Sequence, residues 1–479
     1  MTLVTPQPEH PHEIESVAHL SPDDRVERGR AARRETSRSS HAEWSAPSDR
    51  RDPIELLEQQ GKTRLPELLP IRYGRMAASA FAFYRGGAYI MSADLAHTPT
   101  SGLRAQLCGD AHLSNFGGFA SPERELLFDL NDFDETLPGP WEWDVKRLVA
   151  SIAVAGRDRG FSAKQRRTIL EGTVRGYRET MQEVAQLGEL AIWYLRVDVS
   201  MLQQRLGAEA TAQQARRFEK QIAKARRKDS TRAFTKLAST SDGDPKIISD
   251  PPLIVPIREL VPPDEAAEIA SGMAGLIDAY RKSLPDYRRK LLDRYRFADI
   301  GRKVVGVGSV GTRAWVILMI GRDSGDPLFL QAKEARPSVL EPFVGRSEFG
   351  NQGKRVVEGQ RLMQAASDVF LGWLRATGID GKRRDFYLRQ LWDWKTSADI
   401  ETMLPSGMAM YGQICGATLA RAHARSGDSI AIAAYLGRGD SFDRALCEFA
   451  EAYADQNEQD HRLLLEAIES GRLEAVAGI

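Results

Sequence analysis

Two polar turns in the chain contain the residue types that phosphoryl transfer requires. Asp110 and Asn115 lie five positions apart in the segment Gly-Asp-Ala-His-Leu-Ser-Asn, and Asp132 follows in the acidic segment 129–135. Phosphoryl transfer needs a carboxylate that orients the nucleophile and oxygen ligands that hold Mg²⁺ against the phosphates. Carboxylate and amide oxygens are suitable ligands for Mg²⁺. The two turns, joined by a short predicted hairpin, supply this set in one unit.

Either turn alone is more typical of an ordinary loop than of a catalytic site, because Asp, Asn and Gly are common turn residues. A calcium-binding loop that starts at Asp129 is a sharper alternative. It fails because its sixth position is Asp134 and its twelfth is Pro140, where such a loop needs glycine and glutamate.

A glycine-rich segment lies in the second half of the chain. Gly306, Gly308 and Gly311 form the pattern Gly-x-Gly-x-x-Gly, with Ser309 between the last two. This pattern occurs where a Rossmann strand turns into a helix and where a kinase loop joins two antiparallel strands. The following segment, 312–320, is rich in β-branched and aromatic residues, which favours a strand. The sequence therefore predicts strand, glycine loop, strand, although a hairpin loop without a ligand remains open.

Lys333 lies in the next predicted strand, within Phe-Leu-Gln-Ala-Lys-Glu-Ala. A charged side chain in the middle of a buried strand needs a partner. A lysine in this position can reach phosphates beneath the glycine loop. We expect Glu358, on the next predicted helix, to pair with it. The sequence does not decide between this residue and three other acids, Glu334, Glu341 and Glu348.

The periodicity of apolar residues predicts an α+β protein. Residues 103–136 indicate a strand, a polar loop and a hairpin, and residues 303–335 indicate an antiparallel meander. Apolar residues at spacings of three and four predict helices elsewhere. These helices are expected over residues 141–158, 163–206, 264–296, 353–376, 408–425 and 440–471.

Composition excludes some classes of protein. Lys and Arg total 66 and Asp and Glu total 66, a balance that argues against a nucleic-acid-coating protein. The three cysteines, Cys108, Cys415 and Cys447, form no Cys-x-x-Cys pair, which argues against a structural zinc site and suits a reducing compartment. There is no secretory signal and no run of about 18 apolar residues. We therefore expect a cytoplasmic protein with neither a membrane nor a nucleic-acid partner.

The first 52 residues contain few apolar side chains and many Pro, Ser, Arg and Glu residues. Such a segment buries too little apolar surface to offset the entropy of ordering. The sequence predicts a disordered tail over residues 1–52, and gives it no role.

The two polar turns resemble the catalytic and metal loops of the aminoglycoside phosphotransferase and choline-kinase branch of the protein-kinase-like fold. The resemblance lies in Cys-Gly-Asp-Ala-His-Leu-Ser-Asn, Asn-Asp-Phe-Asp and Trp-Asp-Val-Lys-Arg-Leu. It implies that Asp110 is the catalytic base and that His112 orients the catalytic loop. It also implies that Asn115 and Asp132 are the Mg²⁺ ligands. Asp144 and Asp129 would support the two loops.

The same resemblance implies a nucleotide site. Gly306, Gly308, Ser309 and Gly311 would cover the phosphates of ATP, and Lys333, held by Glu358, would bind them. Cys108 stands where that branch often has histidine, and we expect it to be buried and structural.

A closer resemblance covers nearly all of the predicted ordered chain. The segments FAFYRGGAY, GDAHLSNFG, DLNDFDET, GPWEWDVKRL and LARAHARSGD are similar to the bacterial domain-of-unknown-function family 2252. That family implies no activity.

The order of the motifs departs from that of kinases, in which the glycine loop and lysine precede the catalytic loop. Here Asp110 comes first, and the helix segment 419–424, which resembles the one that leads into the catalytic loop, lies near the other end. Packing in space, rather than chain order, builds a site. The resemblance therefore implies a circularly permuted, two-lobed kinase-like fold in which Asp110 and Asp132 face Lys333 across one cleft. Its regions would be 53–296 (C-lobe-like, with a helical insertion from about 160), 297–400 (N-lobe-like) and 401–479 (helical return).

The expected function is Mg²⁺- and ATP-dependent phosphoryl transfer to a hydroxyl or amine of a small molecule. The alternatives are a nucleotide-binding regulator without turnover, nucleotidyl transfer to a protein and, as the weakest, a Rossmann-type oxidoreductase. The sequence indicates neither the acceptor nor the oligomeric state.

Overall fold

The chain folds into an α+β structure, which confirms the predicted class. The computed structural model describes residues 20–200, 212–227, 229–241, 244–304, 306–378, 380–391 and 393–478. Among these residues, no helix is long and apolar enough to cross a membrane.

Helices account for most of the regular structure. Their bounds are α1 Pro22–Glu35, α2 Pro53–Gly61, α3 Leu69–Ala77, α4 Ala80–Gly86, α5 Ala88–Leu95, α6 Trp141–Asp158, α7 Ala163–Val184, α8 Glu189–Tyr194, α9 Ala212–Arg226, α10 Ser230–Leu237, α11 Ile257–Leu260, α12 Pro263–Arg281, α13 Asp286–Leu292, α14 Glu341–Val344, α15 Gln352–Met363, α16 Pro405–Ala424, α17 Ser429–Leu436 and α18 Ser441–Glu469.

The strands form one large sheet and three small ones. Their bounds are β1 Arg104–Leu107, β2 Phe116–Ala120, β3 Leu126–Leu130, β4 Leu137–Pro140, β5 Ala238–Ser241, β6 Asp244–Ile247, β7 Ile254–Pro256, β8 Arg296–Lys303, β9 Ala314–Ile320, β10 Pro327–Ala335, β11 Gly372–Thr377, β12 Arg383–Gln390 and β13 Thr396–Ser397. The large sheet has the antiparallel order β11-β12-β10-β9-β8-β7. The predicted meander over residues 303–335 is confirmed by β9 and β10.

The large sheet is covered on both faces. On one face Ile317 and Leu330 pack in an apolar cluster with Tyr280 of α12. On the other face Leu318 and Phe329 pack with residues of α10. Both faces are apolar along β9 and β10 because successive side chains of a strand point to opposite faces, and nearly every residue of these two strands is buried.

The helical body is built around the contact between α7 and α16. The backbones approach so closely that a Cβ atom at Gly416 would lie 2.2 Å from the carbonyl oxygen of Thr173. Only glycine fits at this contact. Helix α6, which is buried over most of its length, packs beside this pair and carries Asp144 near its first turn.

Residues 20–52 correct the prediction of a disordered tail, while residues 1–19 of that prediction lie outside the described residues. Helix α1 begins with a capping box at Ser21, and Arg25 pairs with Asp428 at 2.8 Å. Arg50 binds Asp94 at 2.8 Å and Asp460 at 2.6 Å. Composition misled because the segment is held by charged side chains paired with a distant part of the chain, rather than by apolar surface of its own.

Two further differences concern the boundaries of elements. The helix predicted over residues 353–376 ends at Met363, and β11 follows it. The predicted helical insertion also contains three strands, of which β7 pairs with β8. The six-stranded sheet therefore includes a strand that precedes the predicted boundary at residue 297.

The packing of residues 20–52 makes the stability depend on pH. The imidazole of His41 is buried and shares a hydrogen bond of 2.6 Å with Tyr435, and burial lowers its pKa to about 3. Unfolding restores a pKa of about 6.5, so the stability is complete above this value and decreases as the pH falls toward 3. Between pH 7.5 and pH 5 the free energy of unfolding should fall by about 2 kcal/mol through this group.

Urea denaturation of the wild type and of His41→Leu at both pH values measures this contribution. The variant should lack about 2 kcal/mol of the pH dependence. An unchanged pH dependence in the variant would contradict the burial of His41.

Candidate active site

The turn that carries Asp110 is held from below by Asp144. The carboxylate of Asp144 accepts hydrogen bonds from the backbone N–H of Cys108 at 2.8 Å and of Gly109 at 3.0 Å. The Nε2 atom of His423 lies 3.3 Å from the same carboxylate. Gly109 has a φ of 81° and a Cβ atom there would lie 2.4 Å from the carbonyl oxygen of Glu135, so the turn needs glycine. Cys108 is fully buried, which confirms that prediction.

Asp110 is oriented by an arginine that the sequence did not single out. Arg147, one turn beyond Asp144 on α6, places Nε at 2.9 Å and Nη2 at 2.7 Å from Oδ1 of Asp110. Its guanidinium also lies 4.0 Å from the centre of the Tyr84 ring. Burial raises the pKa of Asp110 above its ordinary value, and Arg147 opposes that shift. The Oδ2 atom lies 3.7 Å from Nε2 of His112, and Asp110 lines the cleft.

His112 is a buried, neutral member of the same turn. Its Nδ1 accepts a hydrogen bond from the N–H of Ser114 at 3.2 Å, which assigns the proton to Nε2. That Nε2 lies 3.7 Å from Oδ2 of Asp110. Burial, together with Arg85 and Arg147, holds the pKa of His112 well below its ordinary value. The ring can therefore stabilise the turn without adding a positive charge.

Asn115 connects the turn that carries Asp110 (residues 109–115) with the acidic turn (residues 129–135). Its Nδ2 donates to the carbonyl oxygen of Asp110 at 2.7 Å, and its own backbone carbonyl oxygen accepts from the N–H of Asn131 at 2.8 Å. The side-chain amide oxygen is thus the atom that remains for a cation. Asp132, the next residue after Asn131, is partly exposed in the same cavity.

The predicted ion pair between Lys333 and Glu358 is wrong, because each side chain has a different partner. The Nζ of Lys333 binds the carboxylate of Asp134 and lies 3.8 Å from Oδ2 of Asp132. Glu358 instead pairs with Arg361 at 3.2 Å. The prediction failed because α15 turns Arg355 toward the acidic turn, where it donates to the carbonyl oxygen of Asp134 at 2.8 Å.

The contact between the buried Lys333 and the partly buried Asp134 is supported by further hydrogen bonds. Asp134 accepts hydrogen bonds from Tyr387 Oη at 2.7 Å and from Ser309 Oγ at 3.2 Å. Although burial opposes the charged forms, Asp132 and Asp134 hold the pKa of Lys333 above its ordinary value. Burial likewise opposes ionisation of Asp134, but Lys333 lowers its pKa. Both groups are therefore charged at neutral pH.

The glycine segment joins β8 to β9, as the sequence predicted. Arg64 holds it through a hydrogen bond to the carbonyl oxygen of Gly308 at 2.9 Å and another to that of Val310. Because a strand rather than a helix follows, the loop lacks the strand-to-helix turn of a Rossmann dinucleotide site. Gly311 adopts a φ of 87° beside Arg64 and shapes the loop from behind.

One cavity of about 220 Å³ gathers most of the predicted site residues. It is lined by Gln60, Arg85, Gly86, Ala88, Asp110, His112, Asn115, Asp132, Asp134, Glu135, Gly306, Val307, Gly308, Ser309, Gln331, Lys333, Arg389 and Lys395. Asp129, Asp144, Gly311 and Glu358 are not among these residues. Asp129 is buried and forms an ion pair with Arg421 of α16. The two polar turns, the glycine loop and Lys333 thus meet at one place.

Arg85, Arg389 and Lys395 also line this cavity, and the sequence did not single out the last two. Arg85 comes from α4, whereas Arg389 and Lys395 come from β12 and the segment after it. Burial, with the nearby Arg389 and Lys333, lowers the pKa of Lys395 to about 7. No motif marks Arg389 or Lys395, and only their placement in space shows that they belong to the cavity. Arg147 could have been suspected from its position three residues after Asp144.

The donor atoms suit Mg²⁺ only if the ligand contributes oxygen atoms as well. Within the described ranges, no group of three or more His, Cys, Asp or Glu side chains is arranged to hold a metal ion. The amide oxygen of Asn115 and the carboxylate of Asp132 would be the two protein ligands. Mg²⁺ bound to a phosphorylated substrate is commonly held by one or two carboxylates together with phosphate oxygens and water. The residues present therefore fit a metal that enters with a polyphosphate.

Residues 64–467 match the model of a family described as uncharacterized protein conserved in bacteria, domain-of-unknown-function family 2252. The chain belongs to this family. Comparison with curated proteins and with solved structures gives no match. The description of family 2252 names no activity.

Replacing Asp144 tests whether it holds the catalytic turn. In Asp144→Ala, two backbone N–H groups lose their acceptor within the protein interior, and the free energy of unfolding should fall by about 3 kcal/mol. Urea denaturation measures the loss.

Asp440→Ala is the matched control for this measurement. Asp440 forms an exposed ion pair with Arg444 at 2.8 Å, which contributes at most about 1 kcal/mol. Equal losses in the two variants would show that Asp144 does not have this role.

Proposed function

We propose that the protein is a Mg²⁺- and ATP-dependent phosphotransferase that acts on a hydroxyl or amine of a small molecule. The observation that carries the proposal is the single cleft in which Asp110, Asn115 and Asp132 lie opposite Lys333 and the glycine loop. Each residue type has a place in phosphoryl transfer, which depends on positioning and electrostatic stabilisation.

Asp110 is the proposed catalytic base. Its Oδ1 is fixed by Arg147 and the residue lines the cleft, so an acceptor hydroxyl bound there would donate its hydrogen bond to the other carboxylate oxygen, Oδ2. Arg147 is a positioning residue, because it contacts Asp110 rather than the cleft. The raised pKa of Asp110 favours uptake of the proton from the acceptor.

Lys333 is the proposed ligand of the donor phosphates. The ammonium is fixed by Asp134, and the glycine loop approaches it through Ser309, which shares Asp134 as a hydrogen-bond acceptor. Backbone N–H groups of a glycine loop can approach phosphate oxygens closely. Mg²⁺, held by Asn115 and Asp132, would neutralise charge on the phosphates.

The order of the structural elements supports a permuted kinase-like fold. From β8 the chain runs through the glycine loop, β9, β10 with Lys333, α15, β11 and β12, the order that kinase N-lobes have. Helix α16 then brings His423 to Asp144 beneath the catalytic turn, although that turn comes much earlier in the chain. A circular permutation of a kinase-like fold gives this arrangement.

A nucleotide-binding regulator without turnover is the second candidate. The ion pair between Arg147 and Asp110 favours it, because an arginine stabilises the carboxylate and weakens it as a base. Measurement of turnover separates the two candidates.

Release of ADP from Mg²⁺-ATP, with and without a panel of small-molecule acceptors, tests the proposal. Asp110→Asn and Asp132→Ala should each reduce ADP release at least about 100-fold, since one removes the base and the other a metal ligand. Asp286→Asn, a change at an exposed residue of α13, is the matched control and should retain wild-type activity.

The products distinguish the alternatives. ADP that depends on Asp110 and Asp132 supports the phosphotransferase. AMP retained on protein would instead indicate nucleotidyl transfer, and binding of ATP without ADP release would indicate a regulator. Loss of activity in the Asp286 control alone would contradict the assigned site.

A further inference from the structure

The face of the large sheet that carries Lys333 is divided into a polar part and an apolar part. Along β10, Phe329, Gln331 and Lys333 share one face, because side chains two residues apart point the same way. Gln331 and Lys333 line the cleft. Phe329 is completely buried in an apolar cluster. The cleft therefore ends between Gln331 and Phe329.

The chain itself fills the apolar part of this face. Ala233 and Leu237 of α10 and Ile247 of β6 pack against Leu318 and Phe329 of the sheet. The hairpin that β5 and β6 form is also attached to the large sheet, because the N–H of Ile247 donates to the carboxylate of Asp299 on β8 at 2.8 Å. The apolar surface that continues from Lys333 is thus occupied by α10 and β6.

The remaining cleft is small and polar. Its volume of about 220 Å³ lies below the range of about 300–1,000 Å³ that is usual for sites of drug-sized ligands. Such sites are lined mainly by apolar and aromatic side chains. Here Ala88 and Val307 are the apolar side chains in the lining. No flat apolar slot for a purine base is found among the described residues of the cleft.

Two basic residues, Arg389 and Lys395, line the cleft near the apolar cluster. Arg389 donates to Oε1 of Gln331 at 3.2 Å and to the carbonyl oxygen of Asn131 at 3.2 Å. Lys395 lies beside it in the lining. In the part of the chain that the structure describes, neither residue forms an ion pair with a carboxylate. Arg85, which also lines the cleft, has a buried Nε without a hydrogen-bond partner.

The segment that carries Lys395 is held in place. Trp394 has a φ of 54°, a conformation that is uncommon for a bulky residue and needs support from its surroundings. Arg124 gives that support, because it lies 4.3 Å from the Trp394 ring and pairs with Asp393 at 2.6 Å. On the other side, Thr396 pairs with Gly118 of β2. Lys395 is therefore held in place in the cleft, and because its pKa is about 7, a polyanion bound beside it would favour its protonated form.

We infer that the cleft recognises its phosphoryl donor through the polyphosphate chain and not through a nucleobase. The inference rests on the proposed function and names the donor class, a Mg²⁺-bound triphosphate with or without a nucleoside. Lys333, Arg389 and Lys395 offer charge to a polyanion. The apolar surface that would receive a base is filled by α10 and β6.

Isothermal titration of the full chain with three Mg²⁺ complexes tests the inference. The ligands are ATP, GTP and inorganic tripolyphosphate, with adenosine as the ligand that has a base and no phosphate. The three dissociation constants should agree within about fivefold, a spread of about 1 kcal/mol. Adenosine should not bind. Phosphate release from each complex gives a second readout.

Two outcomes would overturn the inference in different ways. Binding of ATP at least about 50-fold tighter than GTP and tripolyphosphate would show recognition of the base and leave the proposed phosphotransferase intact. Failure of all three complexes to bind would remove the proposed function together with the inference.

Lys395→Met provides an independent test. Loss of one charged contact should weaken the binding of all three complexes by a similar factor of about 10. Lys282→Met, at an exposed lysine that follows α12, is the matched control and should change nothing. A loss confined to ATP would contradict recognition through the polyphosphate.

Discussion

The partly buried contact between Lys333 and Asp134 is the interaction on which the arrangement of the cleft depends. It joins the large sheet to the acidic turn that carries Asp132, and it also fixes the position of the glycine loop through Ser309. Removing two charges from water is costly, and the cost is offset here by several contacts, including Tyr387 and Asp132. The ammonium is therefore held beside a second carboxylate before any ligand arrives.

The catalytic turn depends on a second set of buried polar contacts, which joins distant parts of the chain. The carboxylate of Asp144 accepts hydrogen bonds from two backbone N–H groups of the turn and lies beside His423. The Nδ1 atom of His423 shares a hydrogen bond of 2.9 Å with Tyr177 of α7. Residues 20–52 pack on α17 and α18 around His41 and Arg50. The N-terminal and C-terminal thirds of the chain thus form one helical body beneath the turn.

Local patterns predicted the elements that carry the chemistry. The β-branched residues after Gly311 indicated the strand–loop–strand arrangement, and the polar turns around Asp110 and Asp132 lie in one cleft with Lys333. These features depend on neighbours in sequence, so a single sequence can reveal them. The pairing of Lys333 could not be predicted, because it depends on how α15 is rotated about its axis and presents Arg355 instead of Glu358.

The contents of the sheet face were also hidden from the sequence. No pattern in the sequence placed α10 or β6 on this face, and only the packed structure shows Leu237 and Ile247 buried against Phe329. The basic residues Arg85, Arg389 and Lys395 come from three separate elements, so no spacing connects them. Long-range packing, rather than any motif, decides both the size of the cleft and its charge.

The most direct test of the central claim is a crystal structure with Mg²⁺ and a non-hydrolysable ATP analogue. We expect the phosphates to bind between Lys333 and the glycine loop, with the metal about 2.1 Å from oxygens of Asn115 and Asp132. Phosphates bound elsewhere on the protein, with the cleft between Asp110 and Lys333 left without them, would contradict it.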